Sequence, residues 1–366
     1  MPQHPTNRIF CTRPALALLG TCLTALSLAI LPASPASAQS PEMAETAIAQ
    51  AARPVVSVQL PPGPGLRHIG LLLAARRGYF TAAGIDVVLQ QSAPGQSPVV
   101  RLDEGNTDLA IDIMPAALRA RAEGRDVVHV AQLFQRATLS LVCRPAIDQP
   151  GKLAGENVGV WLGGWESSFY AWLNRLGLSY FASGGGVTVL RQGQDAELFL
   201  AGEADCMTTT TYLAPMQLAA LGEERARLVT WQYEELGLGV LEDGLYVRRE
   251  ALADPVRVDA YARFLSAALR GWQVVLDNPR EAERLLAGLP ENAEIGGAVI
   301  AEALGGIAAA LPTDGEVTGR LDMTAYDRTI NLLLTGAPEP VLRAAPDGAL
   351  SDILLAIRSG RAGQRN

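Results

Sequence analysis

The stretch Val158–Gly177, VGVWLGGWESSFYAWLNRLG, decides the fold. A β-branched run reaches Gly163-Gly164, and a helix with a polar start follows. Phe169, Trp172, Leu173 and Leu176 recur at helical spacing, and Gly177 stands where a helix would stop. A strand therefore feeds a glycine turn, and the turn presents Trp165, Glu166 and Ser167 at a helix N-terminus. Unpaired N–H groups and a partial positive charge make such a terminus a natural place for a polar group. An aromatic and a carboxylate at one point suit a flat ligand that donates hydrogen bonds. An ordinary capped βα turn would read the same way.

The rhythm continues on both sides. Toward the N-terminus, Val55–Leu60 alternates as a strand and Pro61–Gly65 forms an irregular loop. Leu66–Phe80 has helical spacing closed by Gly78, Ile85–Gln90 is a strand, and Val99–Glu104 a short helix. Leu109–Met114, Ala116–Glu123 and Val127–Phe134 then read strand, helix, strand. On the other side come strand Val187–Leu190, helix Ala196–Ala201, and strands Ala204–Thr210 and Leu228–Trp231. Past Leu241–Val247 the pattern is helical: Ala260–Asn278, Arg280–Leu289, Ile295–Leu311 and Ala325–Leu334, with a polar tail from Arg358. This is an α/β chain in two units. Crossings near Leu141–Pro150 and Leu241–Tyr246 would leave a cleft at the carboxyl ends of the strands, where open α/β sheets bind ligands.

At 366 residues the chain is long enough for two domains, and with 49% of its residues apolar it can bury a core in each. The first 38 positions read as an export signal: Arg8 and Arg13, the apolar run Ala15–Leu31, and Ala36-Ser37-Ala38 as a cutting site near Ala38. An N-terminal anchor is the alternative, but Gly20 and Pro32 interrupt the run. Loss of Arg8 and Arg13 from the 30 basic residues leaves 28 against 38 acidic ones, which disfavours nucleic acid as a partner. Of four cysteines, Cys143 and Cys206 remain after cleavage, and spacing does not say whether they pair.

Four segments carry a resemblance. Arg67-His68-Ile69 with Ala74–Phe80 and Gly84–Val87 is similar to the first helix and strand of the periplasmic solute-binding proteins of ABC importers. The branch is the one that holds alkanesulfonate binders, thiamine-pyrimidine-precursor binders and the fungal thiamine pyrimidine synthase. Gly105–Gly124, Gly159–Leu178, and Leu241–Val247 with Gly271-Trp272 and Asn278-Pro279 resemble further segments of it, in the same order. The resemblance implies a two-lobed α/β periplasmic-binding-protein fold of type II, each lobe a mostly parallel sheet flanked by helices. The lobes would be 54–142 with 245–345, and 143–244. A leader at 39–53 would precede them and a tail at 346–366 would follow. It also implies a monomer in the periplasm that hands a small solute to a permease, with no cofactor.

Within that branch the carboxylates point to a flat nitrogenous solute of the pyrimidine-precursor kind. Asp112, Glu166, Glu242 and Asp243 fall at cleft positions, where carboxylates would repel a sulfonate unless shielded. A sulfonate or taurine-type solute, or another amine, is the alternative. His68, at the first helix start, stands where the branch places a ligand-lining histidine; a solvated histidine is the plainer reading. Asp112 lies inside the apolar run IDIM, two residues before Met114, where an unpartnered carboxylate is costly. Trp161 and Trp165 flank the Gly163-Gly164 turn, one as a stacking face and the other as core. Tyr212 ends a threonine run, and Glu242 and Asp243 double as hinge candidates.

The rival class is catalysis. The synthase in this branch needs a lysine for pyridoxal phosphate, a histidine and a cysteine-rich motif. The resemblance places Asp112 and Ala116 at the first two positions and no cysteine in Leu236–Gly244. An aspartate forms no Schiff base. Metal-ligand spacing is absent as well, because only His68 and His129 accompany the two cysteines past the leader.

Overall fold

The computed structural model describes residues 53–360 apart from Pro64, 181–184, Thr313 and Pro338. The expected export signal and its cut near Ala38 lie outside them, as do 361–366. Every element below belongs to the unit Ala52–Asn366.

Five strands build a first sheet: β1 (Val55–Leu60), β2 (Asp86–Gln91), β3 (Leu109–Asp112), β4 (Val127–Gln132) and, much later, β10 (Gly244–Arg248), in the order β2-β1-β3-β10-β4. Five more build a second: β5 (Leu139–Cys143), β6 (Asn157–Val160), β7 (Thr188–Arg191), β8 (Cys206–Thr210) and β9 (Val229–Gln232), in the order β7-β6-β8-β5-β9. The α/β expectation holds, with a difference in strand sense. β1, β2 and β3 run parallel, as do β6, β7 and β8. β10 and β5, the strands that enter from the other sheet, run antiparallel to their neighbours. The first crossing is therefore 133–138, not Leu141–Pro150. LSLVC is an apolar run covered on both faces, which is what a central strand looks like. The second crossing, 233–243, ends just where Leu241–Tyr246 was expected to make it.

The helices are α1 (Ile69–Arg76), α2 (Tyr79–Ala82), α3 (Pro98–Asp103), α4 (Met114–Ala122), α5 (Glu166–Leu176), α6 (Glu197–Leu200) and α7 (Ala214–Gln217). After the second crossing come α8 (Pro255–Asp277), α9 (Pro279–Ala287), α10 (Gly297–Ala310), α11 (Met323–Thr335) and α12 (Ile353–Arg358). The single helix expected over Leu66–Phe80 is broken. Gly65–His68 is a 3₁₀ turn, and Gly78 at φ 67° splits α1 from α2. Asp254 starts α8 by accepting from the Val256 and Arg257 amides, with Pro255 at the first helical position. α1 and α8 cross closely, because a Cβ on Gly271 would sit 2.1 Å from the Gly70 carbonyl oxygen.

Two closures finish the architecture. Cys143 and Cys206 face each other in the β5–β8 register and are disulfide-bonded. β4, an edge strand by sheet order, is buried throughout because later chain covers it. His129 exchanges backbone bonds with Ala349 and Ser351, and Gln132 N–H donates to Gly319. The described part of the segment expected as a tail at 346–366 belongs to the fold: α12 packs on α8 and β4.

Candidate functional site

Most of the candidate side chains follow the carboxyl end of a strand, where the chain turns toward the other sheet. β1 leads through the Pro/Gly loop to Arg67 and His68, β3 to Asp112, β6 to Gly164, Trp165 and Glu166, and β8 to Tyr212. Glu242 and Asp243 end the second crossing.

Arg67 is the centre. It is buried, and its Nε donates to Asp243 Oδ1 and Oδ2 at 3.0 Å each, while Nη2 also donates to Oδ1. Its guanidinium carbon lies 5.0 Å from the ring centroid of Trp165, which comes from the other sheet. Burial alone would weaken the charge, but Asp243, Tyr212 and Glu242 more than offset it, and the guanidinium stays firmly protonated. Asp243 holds φ 47°, the left-handed region that a non-glycine side chain rarely adopts. Sequence reading had Arg67 inside a motif and gave it no role. An arginine with apolar neighbours (LRHIG) was the available signal, since a buried cation requires a partner.

The other carboxylates are occupied by the protein. Glu242 accepts from the Thr138 amide at 2.7 Å, the Leu139 amide at 2.9 Å and the Thr138 hydroxyl, so it clasps the first crossing. Burial raises its pKa to about 7. Asp112 accepts from Ser97 Oγ at 2.8 Å and from the amides of Val99 and Ile113 at 3.3 and 2.9 Å, tying α3 to the end of β3. Burial raises it to about 6. Glu166 accepts from Arg119 Nη2 at 2.7 Å and from its own turn at Gly164 N. The Arg119–Glu166 pair joins α4 to α5 and so bridges the two halves.

The remaining candidates divide. His68 is buried, and its Nε2 lies 3.3 Å from the Pro61 carbonyl oxygen. Burial, then the nearby Arg67 charge, lowers its pKa to about 4, so the ring is neutral. Tyr212 is buried, stands edge-on to Phe134, and has its hydroxyl pKa raised by burial. Trp161 donates its indole N–H to Gly193 O at 2.7 Å and packs edge-on to Trp165. Trp165 is the ring that meets the first half of the chain. Met114 is buried and its amide donates to Leu241 O, which anchors the second crossing. Gly164 has φ 120°, and a Cβ there would lie 2.9 Å from the Ala116 nitrogen, so this glycine permits a close approach of the two halves. Arg67, His68, Trp165, Tyr212 and Asp243 are thus one cluster at the junction. Asp112, Met114, Trp161 and Glu242 are held to the scaffold around it.

The whole architecture is shared with solved structures. The alkanesulfonate-binding protein SsuA of Xanthomonas axonopodis pv. citri, bound to MOPS, superposes with TM-score 0.60 at 17% identity, over 84% of this chain and 99% of that one. A Candida albicans protein described as having the generic periplasmic binding protein structural fold gives TM-score 0.59 at 14% identity, over 84% and 95%. The desulfurization enzyme DszB gives TM-score 0.50 at 17% identity, over 84% and 99%. The class is therefore the periplasmic-binding-protein fold. The chain belongs to the family described as NMT1/THI5 like, whose model matches residues 66–282, more than half of its length. No curated protein matches it.

Proposed function

We propose that this protein is the solute-binding component of an ABC import system, working in the periplasm and delivering a small flat nitrogenous solute to a permease. The observation that carries this reading is the cluster at the junction of the two sheets. Arg67 and Asp243 from one side meet the Trp165 face from the other, beside a neutral His68 and the Tyr212 hydroxyl. A ligand touching both sides holds them together, so binding shifts the hinge equilibrium toward closure. The Cys143–Cys206 disulfide supports an oxidising compartment, and the export signal expected over the first 38 positions would deliver the chain there.

Binding rather than catalysis is supported by the chemistry of the strand ends. Asp112 stands where a cofactor-bearing lysine would be needed. Lys152, the chain's one lysine, sits in an exposed 3₁₀ turn paired with Asp148 at 2.6 Å.

A second reading, a taurine-type or other sulfonate solute, is favoured by one observation. The carboxylates that would repel an anion are neutralised or hydrogen-bonded within the fold, and Arg67 offers a buried cation.

The test is native mass spectrometry of protein purified from its own periplasm, followed by thermal shifts with aminopyrimidines, thiamine, taurine, alkanesulfonates and polyamines. A ligand at 100 times its dissociation constant stabilises the fold by about 2.7 kcal/mol, so a true solute stands clear of the panel. A lone aminopyrimidine hit supports the first reading, and a lone sulfonate hit replaces it with the second. No co-purified solute and no shift would defeat both.

A further inference from the structure

The chain passes between the two sheets at 133–138 and 233–243. Away from those crossings the halves meet again at two places built alike. At the first, Gly164 lies against the start of α4, where a Cβ would come 2.9 Å from the Ala116 nitrogen. One turn along α4, Arg119 Nη2 donates to Glu166 Oε1 at 2.7 Å. At the second, Gly306 of α10 lies against the chain just past β8, where a Cβ would come 2.8 Å from the Tyr212 nitrogen. One turn back along α10, Glu302 accepts from Arg225 Nη2 at 2.6 Å, and Arg225 Nη1 also donates to Pro215 O in α7. α10 goes with the first sheet, because it packs on α9 and on the 3₁₀ turn Gly65–His68. Spacings of three on α4 and four on α10 put each charged side chain on the same helix face as the close approach. Among the described residues, these are the two ion pairs that join the halves outside the crossings.

We propose that these two clasps hold the halves together without a solute, and that they set how often, and at what ionic strength, the cleft opens. Each clasp joins a short-range contact to a longer-range one. Backbone packed on a glycine loses its van der Waals contact as soon as the halves part, whereas the ion pair acts over distance and is weakened by salt. Every group in these contacts belongs to the protein, and none needs a solute to be satisfied. The second clasp yields first. The Glu302 side chain is 50% exposed against 11% for Glu166, so water and ions reach it more readily. Glu166 is sheltered and also accepts from Gly164 N, which ties the pair to the turn that makes the close approach. A solute therefore meets a protein that is already mostly shut, enters during its open excursions, and deepens a closure that already exists. This goes beyond the solute-binder reading, since it concerns contacts that the protein makes with itself.

The experiment is single-molecule energy transfer on the mature protein, with dyes on Val88→Cys and Leu200→Cys, one exposed position in each half. Cys143 and Cys206 are buried and bonded to each other, so the dyes go to the new sites. The protein is refolded from urea, and its native mass spectrum is checked for the bare chain. The expected result in low salt is a predominant short-distance population. Its ratio to the long-distance one falls about threefold in Glu302→Arg, the size of effect an exposed ion pair supplies, and recovers in the swapped Arg225→Glu/Glu302→Arg. Arg119→Gln lowers the ratio at least as far. Sodium chloride at 1 M screens charges beyond about 3 Å, so it lowers the ratio with native clasps and brings it toward that of Glu302→Arg. A long-distance population that predominates in the bare protein at low salt overturns the inference and leaves the binder reading standing. So does an unmoved ratio in either single variant, or a swapped pair no more closed than Glu302→Arg alone. The salt series needs no change in the clasps, so it decides even where a variant fails to fold: a ratio equal at low salt and at 1 M overturns the inference.

Discussion

Arg67 shows how one residue holds two halves of a chain in register. Its partner Asp243 is 176 positions away, and its aromatic neighbour comes from the other sheet. Arg67→Ala would leave Asp243 buried without a counter-charge, and loss of one member of a buried pair costs about 3–5 kcal/mol. Urea unfolding of this variant should show an unfolding free energy lower by that amount, with Arg67→Lys falling between it and the wild type. A loss below about 1 kcal/mol would mean that water reaches the pair. The sequence placed Asp112 at the end of a strand and Glu166 at a helix start, because element ends are legible from periodicity. It did not reveal that Glu242 clasps Thr138 and Leu139 or that Asp112 holds Ser97. Such partners are set by tertiary contact between distant segments, and no local pattern encodes them.

At the scale of elements, apolar periodicity found the long pieces and misjudged their ends. α8 begins at Pro255 rather than Ala260, because the Asp254–Pro255 start is a capping signal independent of apolar spacing. β5 was taken for a crossing since five residues give too little pattern to separate a buried strand from a connection. That strand now carries half of the disulfide. Cys143→Ala/Cys206→Ala frees a 63-residue loop in the unfolded chain and should lower unfolding free energy by about 2–4 kcal/mol. An unchanged melting temperature would show that the cross-link adds nothing to the β5–β8 pairing. Gly164→Ala is a sharper test of the junction. Its Cβ would press on the start of α4 at a backbone angle that alanine avoids. Small-angle scattering should report a larger radius of gyration for that variant, whereas equal radii would show that α5 can shift to make room.

For the whole molecule, four buried groups govern the response to acid. Burial holds Asp112 and Glu242 up at about 6 and about 7, so the fold keeps protons that the unfolded chain has already released. Their contribution is full at low pH and fades as pH rises through those values. Burial holds His68 and His129 down at about 4, so the fold excludes protons that the unfolded chain takes up near 6.5. Their contribution is full above that value and fades as pH falls toward 4. Between roughly pH 4.5 and 6.5 the two trends oppose each other, and these groups together leave stability nearly level. His129→Gln removes one rising trend, so its stability relative to wild type should fall by about 1.4 kcal/mol for each pH unit gained in that window. Parallel curves for the two proteins would show that His129 titrates normally in the fold. The Trp165 ring has a further use. Trp161, Trp172 and Trp272 are buried within single halves of the chain, whereas Trp165 is half-buried and faces a cation from the opposite half. Indole emission follows the polarity and charge around the ring. Any parting of the halves therefore changes the light from this one tryptophan far more than from those three, and the protein reports its own opening without an attached dye.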